Sequence, residues 1–215
     1  MAPPVGIKIC GLTEPEGLDA AIAHGADWVG FVFFARSPRA VTPAQAAPLA
    51  ARVPAGGPRR IGLFVAPEDD AIAATLDAVA LDGLQIYAPE ARAVEIRERF
   101  HLPVWHAQGV TTAADLPATS RLDGLVIESR PPIGADRPGG NAQPIDWAIT
   151  KHWRSPVPWM LAGGLTAETV ARAIALSGAS AVDVSSGVES APGRKDARLI
   201  ARFIQAARQG RHQRR

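Results

Sequence analysis

The sequence predicts an α/β protein built as a single (βα)8 barrel, and three observations carry that prediction. Short apolar runs of strand length alternate eight times with segments of helical character, and no domain-sized linker interrupts them. Alternating βα units imply parallel strands, because a parallel neighbour is reached only through a crossover. The phosphate-type turns come late, after the seventh and eighth strands, and the Gly-x-Gly-x-x-Gly of a dinucleotide-binding open sheet is missing after the first. A doubly wound open sheet is the alternative architecture.

Val5-Gly6-Ile7-Lys8-Ile9-Cys10-Gly11 is the first strand. Side chains alternate along a strand, so Ile7 and Ile9 share one face while Lys8 and Cys10 share the other. A thiol beside a cation favours its thiolate, which makes Cys10 a candidate base or nucleophile. Leu12 to His24 reads as a helix with Thr13 as N-cap and acidic residues in its first turn. Asp27 to Phe33 is the second strand, Thr42-Pro43 opens a helix through Arg52, and Arg60 to Val65 is the third strand. A helix over Pro67 to Val79 leads to the fourth strand, Gly83 to Tyr87, and a charged helix over Pro89 to Phe100 leads to the fifth, Pro103 to His106.

A short helix over Thr112 to Leu116 precedes the sixth strand, Asp123 to Glu128. Ser129 to Gln143 is then an irregular Pro- and Gly-rich loop, read as a lid, with a disordered insertion as the alternative. Pro144 to Lys151 forms a short helix, Pro158 to Ala162 the seventh strand, Thr166 to Leu176 the next helix, Ala179 to Ser185 the eighth strand and Arg194 to Arg208 the last helix. The barrel is expected over residues 1–210, with 211–215 a frayed basic tail.

Composition narrows the function classes. At 215 residues, 47 % hydrophobic and 20 % charged, the chain matches a globular protein of one large core or two small ones. The formal charge is +2, but Arg211, Arg214 and Arg215 sit in the tail, so the body carries no basic balance and no nucleic-acid partner is expected. A single Cys forms no internal disulfide. No run is long and apolar enough to span a bilayer, and Met1-Ala2-Pro3-Pro4 does not open a secretory signal, so no membrane partner and a cytoplasmic location are expected. The five histidines are scattered and no His-Glu-x-x-His occurs, so no metal is expected.

In a (βα)8 barrel the chemistry lies at the carboxyl ends of the strands. Ala162-Gly163-Gly164-Leu165 follows the seventh strand and runs into Thr166, a candidate helix N-cap; Ser185-Ser186-Gly187-Val188 follows the eighth. Glycines let a phosphate approach backbone N–H groups, and a helix start favours the anion. Gly163, Gly164, Ser185, Ser186 and Gly187 are therefore candidate phosphate ligands. At the same rim, Cys10 and Glu128 can serve as base and acid, and Arg36 and Arg39 lie in the loop after the second strand, where an Arg can clamp a carboxylate. His106 is the one histidine placed to meet a substrate. Lys8 and Asp183 each stand two residues before a mouth residue on strands that adjoin in a closed barrel, and are expected to pair inside it.

Lys8-Ile9-Cys10-Gly11, Gly30-Phe31-Val32-Phe33 with Ser37-Pro38-Arg39, Leu161-Ala162-Gly163-Gly164-Leu165, and Val182 to Glu189 with Pro192-Gly193 and Lys195-Asp196 together resemble the phosphoribosylanthranilate isomerase family of tryptophan biosynthesis. The resemblance spans nearly the whole chain in order. It implies a TIM barrel that needs neither cofactor nor metal and acts on a small phosphosugar, as a monomer or a homodimer. The implied reaction is the Amadori rearrangement of N-(5-phosphoribosyl)anthranilate to 1-(2-carboxyphenylamino)-1-deoxyribulose 5-phosphate. It further implies Cys10 as general base, Arg39 as ligand of the anthranilate carboxylate, and Gly164, Ser185 and Ser186 in the phosphate loops.

The general acid is an Asp in the family, and Glu128 stands at that position. Gln85-Ile86-Tyr87-Ala88 replaces Gln-Leu-His-Gly, His106 stands where Lys is frequent, and Gly139-Gly140-Asn141-Ala142 replaces Gly-Gly-Thr/Ser-Gly, while Asp146-Trp147 is retained. A divergent barrel isomerase or epimerase for another phosphosugar, or a non-catalytic phosphosugar-binding module, are the alternatives.

Overall fold

The computed structural model describes residues 4–132, 134 and 145–210. Eight parallel strands close into a barrel in sequence order: β1 (Gly6–Cys10), β2 (Trp28–Val32), β3 (Arg59–Val65), β4 (Gly83–Tyr87), β5 (Val104–Val110), β6 (Gly124–Ser129), β7 (Trp159–Leu161) and β8 (Ala181–Val184). Six α-helices accompany them: α1 (Pro15–Ala23), α2 (Pro43–Ala51), α3 (Asp69–Ala78), α4 (Glu90–Phe100), α5 (Val170–Ser177) and α6 (Ala197–Gln209). Among the described residues, the connections after β5 and β6 carry single 3-10 turns, Ala113–Asp115 and Trp147–Thr150, where short helices were expected. Most of the expected lid and all of the expected tail lie outside the described residues.

Strand alternation sorts the side chains into two layers. Ile7, Ile9, Ile86, Val104, Leu125, Ile127 and Val182 face the helices and join the main hydrophobic core. Trp28, Trp105, Lys8, Cys10 and Glu128 belong to the other face, inside the barrel. The Trp28 and Trp105 rings meet edge to face at 5.9 Å, an arrangement favoured by the ring quadrupole. Gly6 and Gly124 make room for them, since a Cβ at those positions would lie 2.7 Å from Trp28 and 2.4 Å from Trp105. Nearer the mouth, Cys10, Val32 and Leu63 pack with Phe34, Val65 and Tyr87 in a small separate cluster.

Several helix starts differ from expectation. Thr13 does not cap α1; Pro15 begins it, and the Thr13 hydroxyl donates to the Gly193 carbonyl at 3.0 Å. The last helix begins at Ala197 rather than Arg194. Arg194–Lys195 instead forms strand β10, paired antiparallel with β9 (Glu189–Ala191), and Asp196 caps α6 through the backbone N–H groups of Arg198 and Leu199. By contrast, Thr42 caps α2 in a reciprocal capping box with Gln45.

Barrel closure is made between β1 and β8, where Lys8 aligns with Asp183 and the Lys8 Nζ lies 3.0 Å from Asp183 Oδ1. Both side chains are buried. Removing one partner of such a pair strands a charge in low dielectric, so Asp183→Ala is expected to destabilise the fold by about 3–5 kcal/mol in urea unfolding. The Lys8→Met, Asp183→Leu double variant, which removes both charges at similar volume, should recover most of that loss, showing that the stranded charge and not lost packing is the cost.

Candidate active site

The carboxyl ends of the strands surround a cleft of about 720 Å³, open to solvent and lined by residues from seven of the strands or the loops that follow them. Cys10, Arg39, Glu128, Gly163, Gly164, Ser185 and Ser186 all line it, with Asp183 at its base. Residues far apart in the chain are thus brought to one place by the strand order alone. Phe34, Val65, Leu63 and Tyr87 add an apolar side.

Cys10 ends β1, where the chain leaves the barrel through Gly11 at φ 76°. Gly30 on the neighbouring strand leaves space for it: a Cβ there would fall 2.9 Å from Cys10 Sγ and 3.2 Å from Lys8 Nζ. Burial pushes the Cys10 thiol above its ordinary value, and the charge and hydrogen bonding of Lys8 offset this only in part because Asp183 acts in the opposite sense. The expectation that Lys8 would favour the thiolate is therefore outweighed by desolvation. Burial also works against the Lys8 ammonium, but Asp183 and Cys10 prevail and its pKa is raised.

Glu128 is buried on β6, facing the cleft. Tyr87, on β4, engages it through its hydroxyl. Burial, then the charge of Glu128 and the hydrogen bond to it, push the Tyr87 phenol well above its usual range, so it remains a donor. Gln85 Nε2 approaches the same hydroxyl at 3.4 Å. Sequence reasoning noted Tyr87 only as a departure from the family pattern; its place on the same face as Gln85 near the end of β4 was the available signal.

The phosphate-type loops stand side by side. Gly163 and Gly164 adopt φ 89° and 64°, in the region where a Cβ is disfavoured. Gly187 does not itself line the cleft. It allows the two loops to touch, because a Cβ there would lie 1.9 Å from the Leu165 carbonyl oxygen. α5 begins at Val170 rather than Thr166, whose backbone N–H donates to the Thr169 hydroxyl at 3.0 Å. Ser185 Oγ donates to the Cys10 carbonyl at 3.0 Å, tying the second loop to the first strand.

Two further expectations require correction. His106 does not meet the cleft: β5 continues to Val110, and alternation from the inward Trp105 turns His106 to the outer layer. There its Nε2 lies 2.8 Å from the Ala88 carbonyl and its Nδ1 3.2 Å from Gln108 Nε2. Arg36 is exposed and does not line the cleft. Among the described residues, no cluster of three or more His, Cys, Asp or Glu is placed to hold a metal ion, and no helix is long and apolar enough to cross a membrane.

The family model for N-(5'-phosphoribosyl)anthranilate isomerase matches residues 7–206. The chain belongs to this family. It is 57 % identical over 203 residues to the N-(5'-phosphoribosyl)anthranilate isomerase of Acidiphilium cryptum, covering 93 % of this chain and 97 % of the relative. It is 49 % identical over 213 residues to that of Rhodospirillum rubrum, covering 95 % and 98 %. Among solved structures, a phosphoribosyl anthranilate isomerase in complex with reduced 1-(o-carboxyphenylamino)-1-deoxyribulose 5-phosphate is similar at a TM-score of 0.80 and 32 % identity, over 94 % of this chain and 98 % of that one. Monomers generated from the dimeric isomerase of Thermotoga maritima are similar at a TM-score of 0.78 and 32 % identity, over 94 % and 98 %. Family membership and the eight-stranded closed barrel agree with the architecture read from the sequence.

Two measurements check this site. Gly187→Ala drives a Cβ into the Leu165 carbonyl, and is expected to weaken competitive inhibition by inorganic phosphate by about tenfold or more, a single lost charge-assisted contact being of that order. A thiol that is buried and raised reacts slowly, so carboxamidomethylation of Cys10 by iodoacetamide should be slow at neutral pH, accelerate beyond pH 9, and abolish activity in step with modification.

Proposed function

We propose that this chain isomerises N-(5-phosphoribosyl)anthranilate to 1-(2-carboxyphenylamino)-1-deoxyribulose 5-phosphate, with Glu128 as general acid and Cys10 as general base. The observation that carries the reading is that a buried carboxyl and a buried thiol line one cleft that the pair of glycine- and serine-rich loops also lines. Phosphate held on those loops fixes one end of the ribose, and Arg39 is available at the rim for the anthranilate carboxylate. Binding both ends of the substrate places its C1–C2 segment between acid and base, which is the chief benefit of two remote anionic handles.

Glu128 donates its proton to the furanose ring oxygen as the C1–O bond breaks, and the anilino nitrogen lone pair forms the C1=N bond of a protonated Schiff base. Cys10 as thiolate then removes the proton from C2, and those electrons neutralise the iminium to give an enolamine. Protonation at C1 and loss of the enol proton complete the ketose. Within the free site the thiol is neutral at ordinary pH, but the iminium adds a second positive charge near the sulfur besides Lys8, and this favours the thiolate when it is needed. Tyr87 donating to Glu128 holds the carboxyl toward the cleft.

Loss of the anthranilate-type fluorescence of freshly generated substrate is the assay. Cys10→Ala and Glu128→Ala are each expected to lower kcat by roughly 10²–10⁴-fold, the range of a general acid or base. Because Tyr87 meets the longer side chain, Glu128→Asp is expected to fall by on the order of 100-fold, as a displacement of about 1 Å can cost. Wild-type activity indistinguishable from background, or turnover only of phosphosugars without the aromatic amine, would replace this reading with another phosphosugar reaction.

A further inference from the structure

Behind the cleft wall runs a chain of buried charges that the acid–base steps leave unused. Glu189 accepts two hydrogen bonds from Arg39, from Nε at 2.7 Å and from Nη2 at 2.8 Å. Its Oε1 also accepts from Lys195 Nζ at 2.8 Å, and its Oε2 from the Gly193 backbone at 3.2 Å. Lys195 Nζ donates onward to the Ser185 carbonyl at 2.9 Å and to Ser185 Oγ at 3.2 Å. The side chains of Arg39, Glu189 and Lys195 are only 8 %, 3 % and 0 % exposed.

Burying three charges is expensive, and apolar residues of similar volume would serve stability as well. What a buried carboxylate does supply is direction. A two-point bond to a guanidinium fixes both the position and the plane of the group. The guanidinium has five N–H groups, of which Glu189 engages two, and Arg39 is one of the residues that line the cleft. Gly11 lies directly beneath it, with no space for a Cβ, which would approach Arg39 Cδ to 2.8 Å. Glu189 thus stands between two basic side chains beside the cleft, although burial lowers the pKa of Lys195.

The β9–β10 hairpin is what assembles these groups. Glu189 opens β9 and Lys195 ends β10, so the tight turn through Pro192 and Gly193 returns the Lys to the Glu. At that turn Gly193 packs on the loop that carries Arg39, where a Cβ would fall 2.2 Å from the Pro38 carbonyl oxygen.

We propose that Glu189 is a positioning residue for substrate selection: braced by Lys195, it fixes the plane of Arg39 for the carboxylate of the substrate and links that geometry to Ser185 in the phosphate loop. The inference rests on the reading that Arg39 binds that carboxylate. The two are separable by measuring affinity, in calorimetry, for two ligands: the ketone-reduced product analogue, and the same compound built from aniline, which lacks the carboxyl group.

Glu189→Gln keeps the volume and removes the charge. It should weaken the carboxylated ligand by about tenfold or more and the aniline ligand by no more than about twofold, with thermal unfolding still cooperative. Should that variant fail to fold, Glu189→Asp, which keeps the charge but withdraws it by one methylene, is expected to show the same selective loss. Arg39→Met tells the two failures apart. If it weakens both ligands equally, the carboxylate reading is wrong; if it is selective while both Glu189 variants are not, Arg39 needs no positioning and this inference is overturned. Lys195→Met should additionally weaken inhibition by inorganic phosphate by roughly threefold or more, and unchanged inhibition would sever the link to Ser185.

Discussion

The pairing of β1 with β8 closes the barrel, and the Lys8–Asp183 contact is built into that seam. Parallel register sets Lys8 opposite Asp183, and because side chains repeat every second residue, the same register delivers Cys10 and Ser185 to the mouth together. The Ser185 hydroxyl then reaches the Cys10 carbonyl at 3.0 Å. A slip of one residue would turn Lys8 and Cys10 into the helix layer and Ile7 and Ile9 into the cleft. Two opposite charges that pair with each other inside the barrel penalise that slip far more than apolar residues would. The pair therefore fixes where the chemistry sits while contributing little net stability.

The same pair shapes the sulfur's electrostatics. Lys8 is near Cys10, yet much of its field is cancelled by Asp183, and desolvation decides the balance in favour of the neutral thiol. A buried thiol held neutral is protected from adventitious alkylation and oxidation.

Legibility from sequence followed the range of the interactions involved. The strands, the closing pair, and the loops after β7 and β8 were readable because each depends on local pattern: apolar runs, period-two alternation, and glycines where φ must be positive. Cys10, Glu128 and Arg39 meet as eight consecutive βα units require. His106 was misplaced because the fifth strand was ended at the histidine; its true length reaches Val110, and the bulky Trp105 takes the inward position. The Arg194–Lys195 segment looked like a helix start, but a Pro-Gly turn and the attraction of Lys195 for Glu189 hold it in a hairpin. Buried ion pairs between residues that look solvated in sequence leave no periodic trace, which is why the Glu189–Lys195 brace was not assigned a role.

The departures from the family pattern acquire a shared physical sense in the fold. Tyr87 replaces a His and Glu128 replaces an Asp, on strands β4 and β6. Strand β5 lies between them and, on the face of Trp105, carries only Ala107 and Gly109 at this level. Two long side chains can approach across such short ones, and the charge of Glu128 contributes, after burial, to the raised pKa of the Tyr87 phenol. The extra methylene carries the carboxyl of Glu128 further from its strand, and the phenol beside it, its pKa raised, stays protonated. The two positions thus face one another across the short β5 side chains, and the altered half of the cleft keeps a buried carboxyl in the same cleft as the thiol.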